Sequence, residues 1–213
     1  MHTIRETTSK LWPTPKKGTK YVIVPSHNNK VGIPILIIMR NILGFVKTRK
    51  ELKKILIDKK ILVNNKLIKE ENRTLLLFDT LKLKEINKCY RLTFNENGKM
   101  FMKEISEKEC NTKICKIVDK KAVKNKKIQI NFNDGTNILS DAKVNVNDCA
   151  VINLDNKKIE RIIPIKEKSH ILVIKGKYIG KIGEIIKIEG YEITAKSGSG
   201  EIKTKIDEVI INE

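Results

Sequence analysis

Arg49, Lys50, Lys53 and Lys54 recur within KTRKELKKILIDKKILVNNK, residues 47–66. Wound as an α-helix at about 100° per residue, these four side chains share an arc of about 140°, and Leu52, Ile55 and Leu56 fall on the opposite side. Cations fixed on a rigid backbone bind polyanions; they neither attack nor transfer anything. Lys47, Lys59, Lys60 and Lys66 extend the positive segment at both ends. A solvated helix face carries the same pattern, and the remaining sequence separates the two readings.

The elements that position these cations are well marked. Thr48 is an N-cap residue and Glu51 stands three positions later, the spacing of a capping box. After the helix, ILV and KLI flank Asn64-Asn65, and asparagine tolerates the positive φ of a two-residue hairpin turn. Upstream, PILIIMRNILG (34–44) opens on proline and closes on glycine, predicting a buried helix. Arg40 interrupts its apolar run and must reach out of it, toward an internal carboxylate or a phosphate. Downstream, TLLLFDTLKL (74–83) reads as one strand.

The 213 residues carry 44 Lys and Arg against 25 Asp and Glu, a net charge of +19. That excess implies a polyanionic partner, nucleic acid before an acidic membrane. It is unevenly distributed: net +5 over residues 1–34, +8 over 35–88, +5 over 89–165 and +1 over 166–213. The peak coincides with the basic helix. Thirty-eight of the 44 cations are lysine, so part of the total reflects coding bias.

Several classes are disfavoured. Cys89, Cys110, Cys115 and Cys149 form no C-x2-C pair and have no histidine at zinc-finger spacing, so buried free thiols in a reducing compartment are expected and no metal. His2, His27 and His170 are far apart, and no Ser/His/Asp, Cys/His or paired-carboxylate constellation stands out. No catalytic residue and no cofactor are expected. The N-terminus lacks the apolar core of a signal peptide. The longest apolar run, near Ile35–Met39, is far short of the roughly 20 residues of a membrane span. A cytoplasmic protein is expected.

Residues 1–32 are broken by Pro13, Pro15, Gly18, Pro25 and Gly32, with one strand-like run at KYVIV (20–24). Trp12, the sole tryptophan, lies among Lys10, Lys16 and Lys17. It either stacks on a base from an extended arm or anchors that arm to the protein's own core. Beyond residue 88, short strand-like runs alternate with turn signals: CYRLTF and KMFMKEI around NENG, KKIQINF and TNIL around Asp134-Gly135, CAVINL and IERIIPI around Asp155-Asn156. SEKE (106–109) matches a capping box for a single helical turn. This spacing argues for a small β-barrel. HILVIK, IGEIIKIE, YEITAK, EIKTK and VIINE then suffice for a second one, with the break near Lys166–Ser169.

Within HILVIKGKYIGKIGEIIKIE (170–189), Gly176, Gly180 and Gly183 sit between two apolar strands, with Lys175, Lys177 and Lys181 along the same loop. The spacing is neither G-x-G-x-x-G nor a P-loop. It fits a tight loop whose backbone and lysines approach a partner, and equally a barrel-corner glycine.

Residues 35–88 resemble the S-four-type RNA-binding domain: two helices, the second basic, then a hairpin. Residues 170–200 resemble a KOW motif, with Gly183 at its hallmark glycine and Ile185 and Ile188 as following core positions. With a β-rich middle between them, the order resembles the archaeal/eukaryotic small-subunit ribosomal protein S-four-e family. YRLTFNENGKMFMKEISEKECNTKICKIV, KIQINFNDGTNIL and IPILIIMRNILGFVKT are similar to family segments, and the likeness runs from about Trp12 to Ile211. Asn65 stands where the family usually has glycine. The resemblance implies an α+β, mostly β fold: an arm (1–34), an S-four-type domain (35–88), a central β-barrel-like domain (89–166) and an SH3-like KOW barrel (167–213).

It further implies a structural constituent of the small ribosomal subunit, with rRNA and neighbouring small-subunit proteins as partners, no membrane and no homo-oligomer. Phosphate contacts would come from Arg49, Lys50, Lys53, Lys54, Lys59 and Lys60. Asn64, Asn65 and Lys66 would reach into a groove or loop. Lys16 and Lys17 would pin the arm, and Lys175, Lys177 and Lys181 would add a weaker contact. The alternative functions are a free-standing RNA-binding translation or regulatory factor and an RNA-modifying enzyme. The latter lacks room for a catalytic domain among the short strands after residue 88.

Overall fold

A computed structural model of the chain describes residues 2–15, 17–28, 31–123, 127–198 and 200–212. Contacts divide it into two compact units: residues 1–93 with 99–111, and residues 94–98 with 112–213. The fold is α+β and mostly β, as expected.

In the first unit, β1 (His2–Ile4) pairs with β2 (Tyr21–Ile23), and β3 (Ile33–Pro34) leads into α1 (Ile35–Ile37). Pro34 is the N-cap, one position before the first helical residue, and its backbone is extended. The expected helix over 34–44 is α-helical only at its start: Ile38–Ile42 winds as a π-helix, closed by Leu43 N–H donating to the Ile38 carbonyl at 2.9 Å. Ile35 to Met39 are buried, and Arg40 turns outward, as its charge demands.

α2 (Arg49–Ile57) follows, burying Leu52 and Leu56. A five-stranded sheet of order β5-β4-β7-β8-β9 is built from β4 (Ile61–Val63), β5 (Lys66–Leu67), β7 (Thr80–Leu83), β8 (Lys88–Phe94) and β9 (Met100–Ile105). The run at 74–83 is not one strand. β6 (Thr74–Leu75) pairs with β3 instead, and the chain turns at Phe78, whose φ is +64°, before β7 begins. All of Leu75 to Asp79 is buried, and periodicity in so apolar a run could not reveal the turn. The single helical turn α3 (Glu107–Cys110) is capped by Ser106, as expected.

In the second unit, β10 (Thr112–Ala122), β11 (Ile128–Phe132), β12 (Asn137–Ser140), β13 (Cys149–Asn153) and β14 (Ile159–Ile163) form a sheet of order β12-β11-β10-β13-β14. Its core contains Cys115, Ile117, Ile130, Phe132 and Ile152. β10, the longest strand, is obscured in the sequence by five charges, two of which point inward. The final barrel comprises β15 (His170–Val173), β16 (Ile182–Glu189), β17 (Glu192–Ser197), β18 (Gly200–Lys205) and β19 (Val209–Ile211), in the order β18-β17-β16-β15-β19. Ile171, Val173, Ile185, Ile193 and Val209 fill it.

All four cysteines are buried free thiols. Burial pushes the Cys110 thiol up to about 12, with the neighbouring Cys89 adding to the shift. Among the described residues no group of metal-ligating side chains is assembled, and no helix is long and apolar enough to cross a membrane.

Candidate nucleic-acid interface

The basic helix begins where its capping box places it. Glu51 N–H donates to the Thr48 hydroxyl at 3.3 Å, while the Glu51 carboxylate accepts from Lys47 N–H at 2.8 Å and Thr48 N–H at 3.4 Å. Those bonds hold the Glu51 carboxyl below its ordinary range. With Leu52 and Leu56 in the core, Lys47, Lys50, Lys53 and Lys54 project from the exposed side.

Arg49 differs from its three neighbours. Its Nε donates to Glu71 at 2.7 Å and its Nη2 makes a second contact to the same carboxylate oxygen, Oε1. Glu71 is 8% exposed, and its other oxygen, Oε2, is buried without a hydrogen-bond partner. The Arg49 bond outweighs burial and holds the Glu71 carboxyl low, with Lys53 adding a smaller effect. Arg49 is therefore engaged within the protein, in addition to facing solvent.

The helix ends in a Schellman arrangement. Lys60 N–H donates to the Ile55 carbonyl at 3.4 Å and Lys59 N–H to that of Leu56 at 3.1 Å, with Lys59 at φ +56°. The Lys59 side chain is exposed. Lys60 donates to Glu85 at 2.5 Å and Asp58 at 3.1 Å, and both carboxylates raise its pKa. Its charge is largely answered inside the molecule.

The hairpin turn forms at Asn64 (φ +48°) and Asn65 (φ +59°), both in the left-handed region that a type I′ turn requires. Their side chains do not reach outward. Asn64 Nδ2 donates to Asp79 at 2.8 Å and its oxygen accepts from Thr80 N–H at 3.0 Å; Asn65 Nδ2 donates to Asn111 at 3.1 Å. The expected reach of the two asparagines into a groove is replaced by a structural role, and of the three residues Asn64, Asn65 and Lys66 it is Lys66 that is exposed. Arg40 is exposed, with its Nε on the Asn41 side chain at 2.9 Å.

Trp12 resolves to one of its two readings. It is 2% exposed, and its indole N–H donates to the Gly32 carbonyl at 3.0 Å, so it anchors the N-terminal segment to the core and is not available to stack on a base. Leu11 is tied to β9 through Met100 N–H at 2.8 Å. Lys17 is exposed, and Lys16 lies outside the described residues.

In the final barrel the three glycines act differently. A Cβ on Gly180 (φ +85°) would stand 2.3 Å from the Asn95 carbonyl oxygen, and one on Gly183 would stand 2.8 Å from that of Lys196 on β17. Both permit close backbone approach. Gly176 (φ +84°) faces the Glu208 carboxylate, which accepts from Thr204 at 2.8 Å. Lys175 and Lys177 are exposed, Lys177 lying 5.7 Å from the Tyr178 ring centroid, while Lys181 is half-buried.

The sequence is similar to small ribosomal subunit protein eS4 from Nanoarchaeum equitans, 35% identical over 84% of this chain and 79% of that protein. The chain belongs to ribosomal family S4e. The same protein from Methanocella arvoryzae is 31% identical over 88% of this chain and 81% of its own length. The family profile described as Ribosomal family S4e matches residues 86–159. The crystal structure of 30S ribosomal protein S4e from Thermoplasma acidophilum shares the fold, with a TM-score of 0.71 at 22% identity, over 84% of this chain and 94% of that one.

Within this S4e chain, sequence reasoning missed Glu71, Lys113 and Lys116. Lys113 donates to Asp134 at 2.6 Å, both side chains being nearly inaccessible. Burial alone would raise Asp134, but the Lys113 charge and hydrogen bond prevail and hold it low. Lys116 is 3% exposed; its ammonium donates to the Val209 carbonyl at 2.8 Å and also to that of Ile206. Burial lowers its pKa to about 8. No local pattern distinguishes these lysines from surface ones, because their partners are 21 and about 90 residues away.

Proposed function

We propose that this protein is a structural constituent of the small ribosomal subunit that binds rRNA, in the cytoplasm and without a catalytic role. Its partners are the rRNA and neighbouring small-subunit proteins; it acts as a single copy and away from membranes. Membership of family S4e supports the assignment, as do relatives that are named small ribosomal subunit protein eS4. The proposed division of labour is an arm (1–34), an RNA-binding domain (35–88), a central β domain (89–166) and a KOW barrel (167–213).

The observation that carries the RNA contact is the row of exposed cations Lys50, Lys53 and Lys54 on α2, with Lys47 just before its cap, set on a helix whose cap and buried leucines fix its orientation. Lys59, Lys66, Lys17 and Arg40 are further exposed cations of the same unit, and Lys175 and Lys177 supply a weaker contact on the nearly neutral final barrel. Double-stranded rRNA is read by phosphates, shape and 2′-hydroxyls, because its deep groove excludes side chains. If about six phosphates are neutralised, affinity falls by ~10³ between 50 and 200 mM salt.

The test is the variant carrying Lys50→Glu, Lys53→Glu and Lys54→Glu. It is expected to fold normally and to fail to co-sediment with small subunits. Normal incorporation of that variant would refute the assigned face.

A further inference from the structure

The strands β1 and β2 make a two-stranded ribbon whose register sets His2 opposite Ile23 and Ile4 opposite Tyr21. Side chains alternate across such a ribbon. Val22 is buried on one side, while His2, Ile4 and Tyr21 are exposed on the other. Tyr21 is 49% exposed, in a segment whose other aromatic residue, Trp12, is buried. Two contacts position it. The His2 imidazole meets its ring with 4.4 Å between centroids and 65° between planes, an edge contact, and the Tyr21 carbonyl accepts from the Thr19 hydroxyl at 3.2 Å. An edge contact takes up one face of a ring at most.

The charges around this ring narrow the ligand. Residues 1–34 carry six basic side chains and one acidic one, Glu6. Arg5 spends its donors on the chain itself: on the Thr19 carbonyl at 2.7 Å, the Pro15 carbonyl at 2.8 Å and the Thr19 hydroxyl at 2.9 Å. Lys20 is exposed, with its ammonium 5.5 Å from the Tyr21 ring centroid, on a flexible stem that can yield to an incoming ring. An apolar side chain would use the ring and leave the cation idle, and an acidic one would do the reverse. A nucleotide engages both, with its base on the ring and its phosphate on the ammonium. In a duplex the bases stack on each other, so the nucleotide that fits is an unpaired one.

We propose that Tyr21 is a stacking platform for one unpaired RNA base, with Lys20 on the phosphate of the same nucleotide. The inference rests on the RNA-binding reading above and deepens it. The cations of α2 hold paired rRNA through its phosphates, and the ribbon adds a grip on unpaired RNA. The stacking role weighed for Trp12 thereby passes to Tyr21.

The experiment uses the full-length protein and two probes at low salt, a short oligouridylate and a 16-base-pair RNA duplex. Tyr21→Leu, which keeps apolar bulk and removes the ring, should weaken oligouridylate binding by roughly tenfold, the worth of one base stacked on an aromatic side chain. It should leave the duplex unaffected and keep the wild-type salt slope, because no phosphate contact is lost. Tyr21→Phe should bind both probes as wild type does. Lys20→Met should weaken the oligouridylate with a shallower salt slope. A folded Tyr21→Leu protein that binds oligouridylate as tightly as wild type overturns the platform while leaving the RNA-binding function standing. Equal losses on both probes overturn it as well, because stacking cannot act on paired bases. A wild type that binds neither probe overturns both readings.

Discussion

Asn64 and Asp79 lock the hairpin tip to the body of its unit: the Asn64 amide donates to the Asp79 carboxylate at 2.8 Å while its oxygen accepts from Thr80 N–H at 3.0 Å. Asp79 in turn accepts from Leu76 N–H at 2.7 Å, at the turn that separates β6 from β7. One carboxylate therefore joins two turns.

Replacing Asn64 with alanine removes both side-chain bonds and places a Cβ residue without local compensation at φ +48°. The expected loss is about 2–3 kcal/mol, from hydrogen bonds in a partly buried setting and from the left-handed backbone. Chemical denaturation would measure it. Asn64→Asp, which keeps the acceptor for Thr80 but sets a second carboxylate against Asp79, should also destabilise. Lys66→Ala, at the same tip but exposed, should not.

Arg49 and Glu71 make stability depend on acid. The Glu71 carboxyl is held low by Arg49, so its contribution is present above its unfolded value of about 4.5 and is lost as pH falls through the lower folded value. Arg49→Met leaves that carboxylate buried and unpaired. At neutral pH the variant should be less stable by about 1 kcal/mol, discounted because the arginine is largely solvated. The gap should close toward pH 4, where Glu71 in the variant protonates. A pH-independent gap would place the effect in lost packing.

Lys59 occupies the left-handed position of the α2 C-terminus, usually taken by glycine. Lys59→Gly should raise stability by about 1 kcal/mol, since the Cβ penalty disappears. If Lys59 also contacts rRNA, the same variant binds more weakly while melting higher. Thermal melts and salt-dependent binding, measured on one protein, separate the two.

Features governed by neighbours in sequence were legible: the Thr48–Glu51 cap, the Asn64-Asn65 turn, the Ser106 cap and the glycine loop of the final barrel. Each depends on the backbone preferences of a few adjacent residues. Features set by distant contacts were not. Nothing around Arg49 announces Glu71, 22 positions later, and nothing around Lys60 announces Glu85. The basic face was therefore readable as a face, but not which of its cations the protein itself engages. Trp12 was open between core and ligand because the deciding contact, the Gly32 carbonyl, is 20 residues away. β10 escaped because Lys113 and Lys116 point inward, against the binary pattern that marks a strand.

Lys116 gives the last prediction. Its buried ammonium binds the carbonyls of Ile206 and Val209, and a neutral amine still has two hydrogens for those two acceptors. With a folded pKa of about 8 against an unfolded value of 10.5, the unfolded chain holds more protons between those limits. Stability from this residue therefore rises with pH through that window, by about 1 kcal/mol between pH 7 and pH 9. Cys110 acts in the opposite direction: its folded pKa is raised to about 12, so the stability it contributes is full below its unfolded value of 9.0 and is lost as pH rises toward the folded one. The lysine is isolated by comparison with Lys116→Met, which keeps the apolar stem and removes the charge. Wild type should gain on the variant from pH 7 to pH 9 in urea denaturation. Parallel pH profiles would mean that Lys116 stays protonated on its two carbonyls throughout.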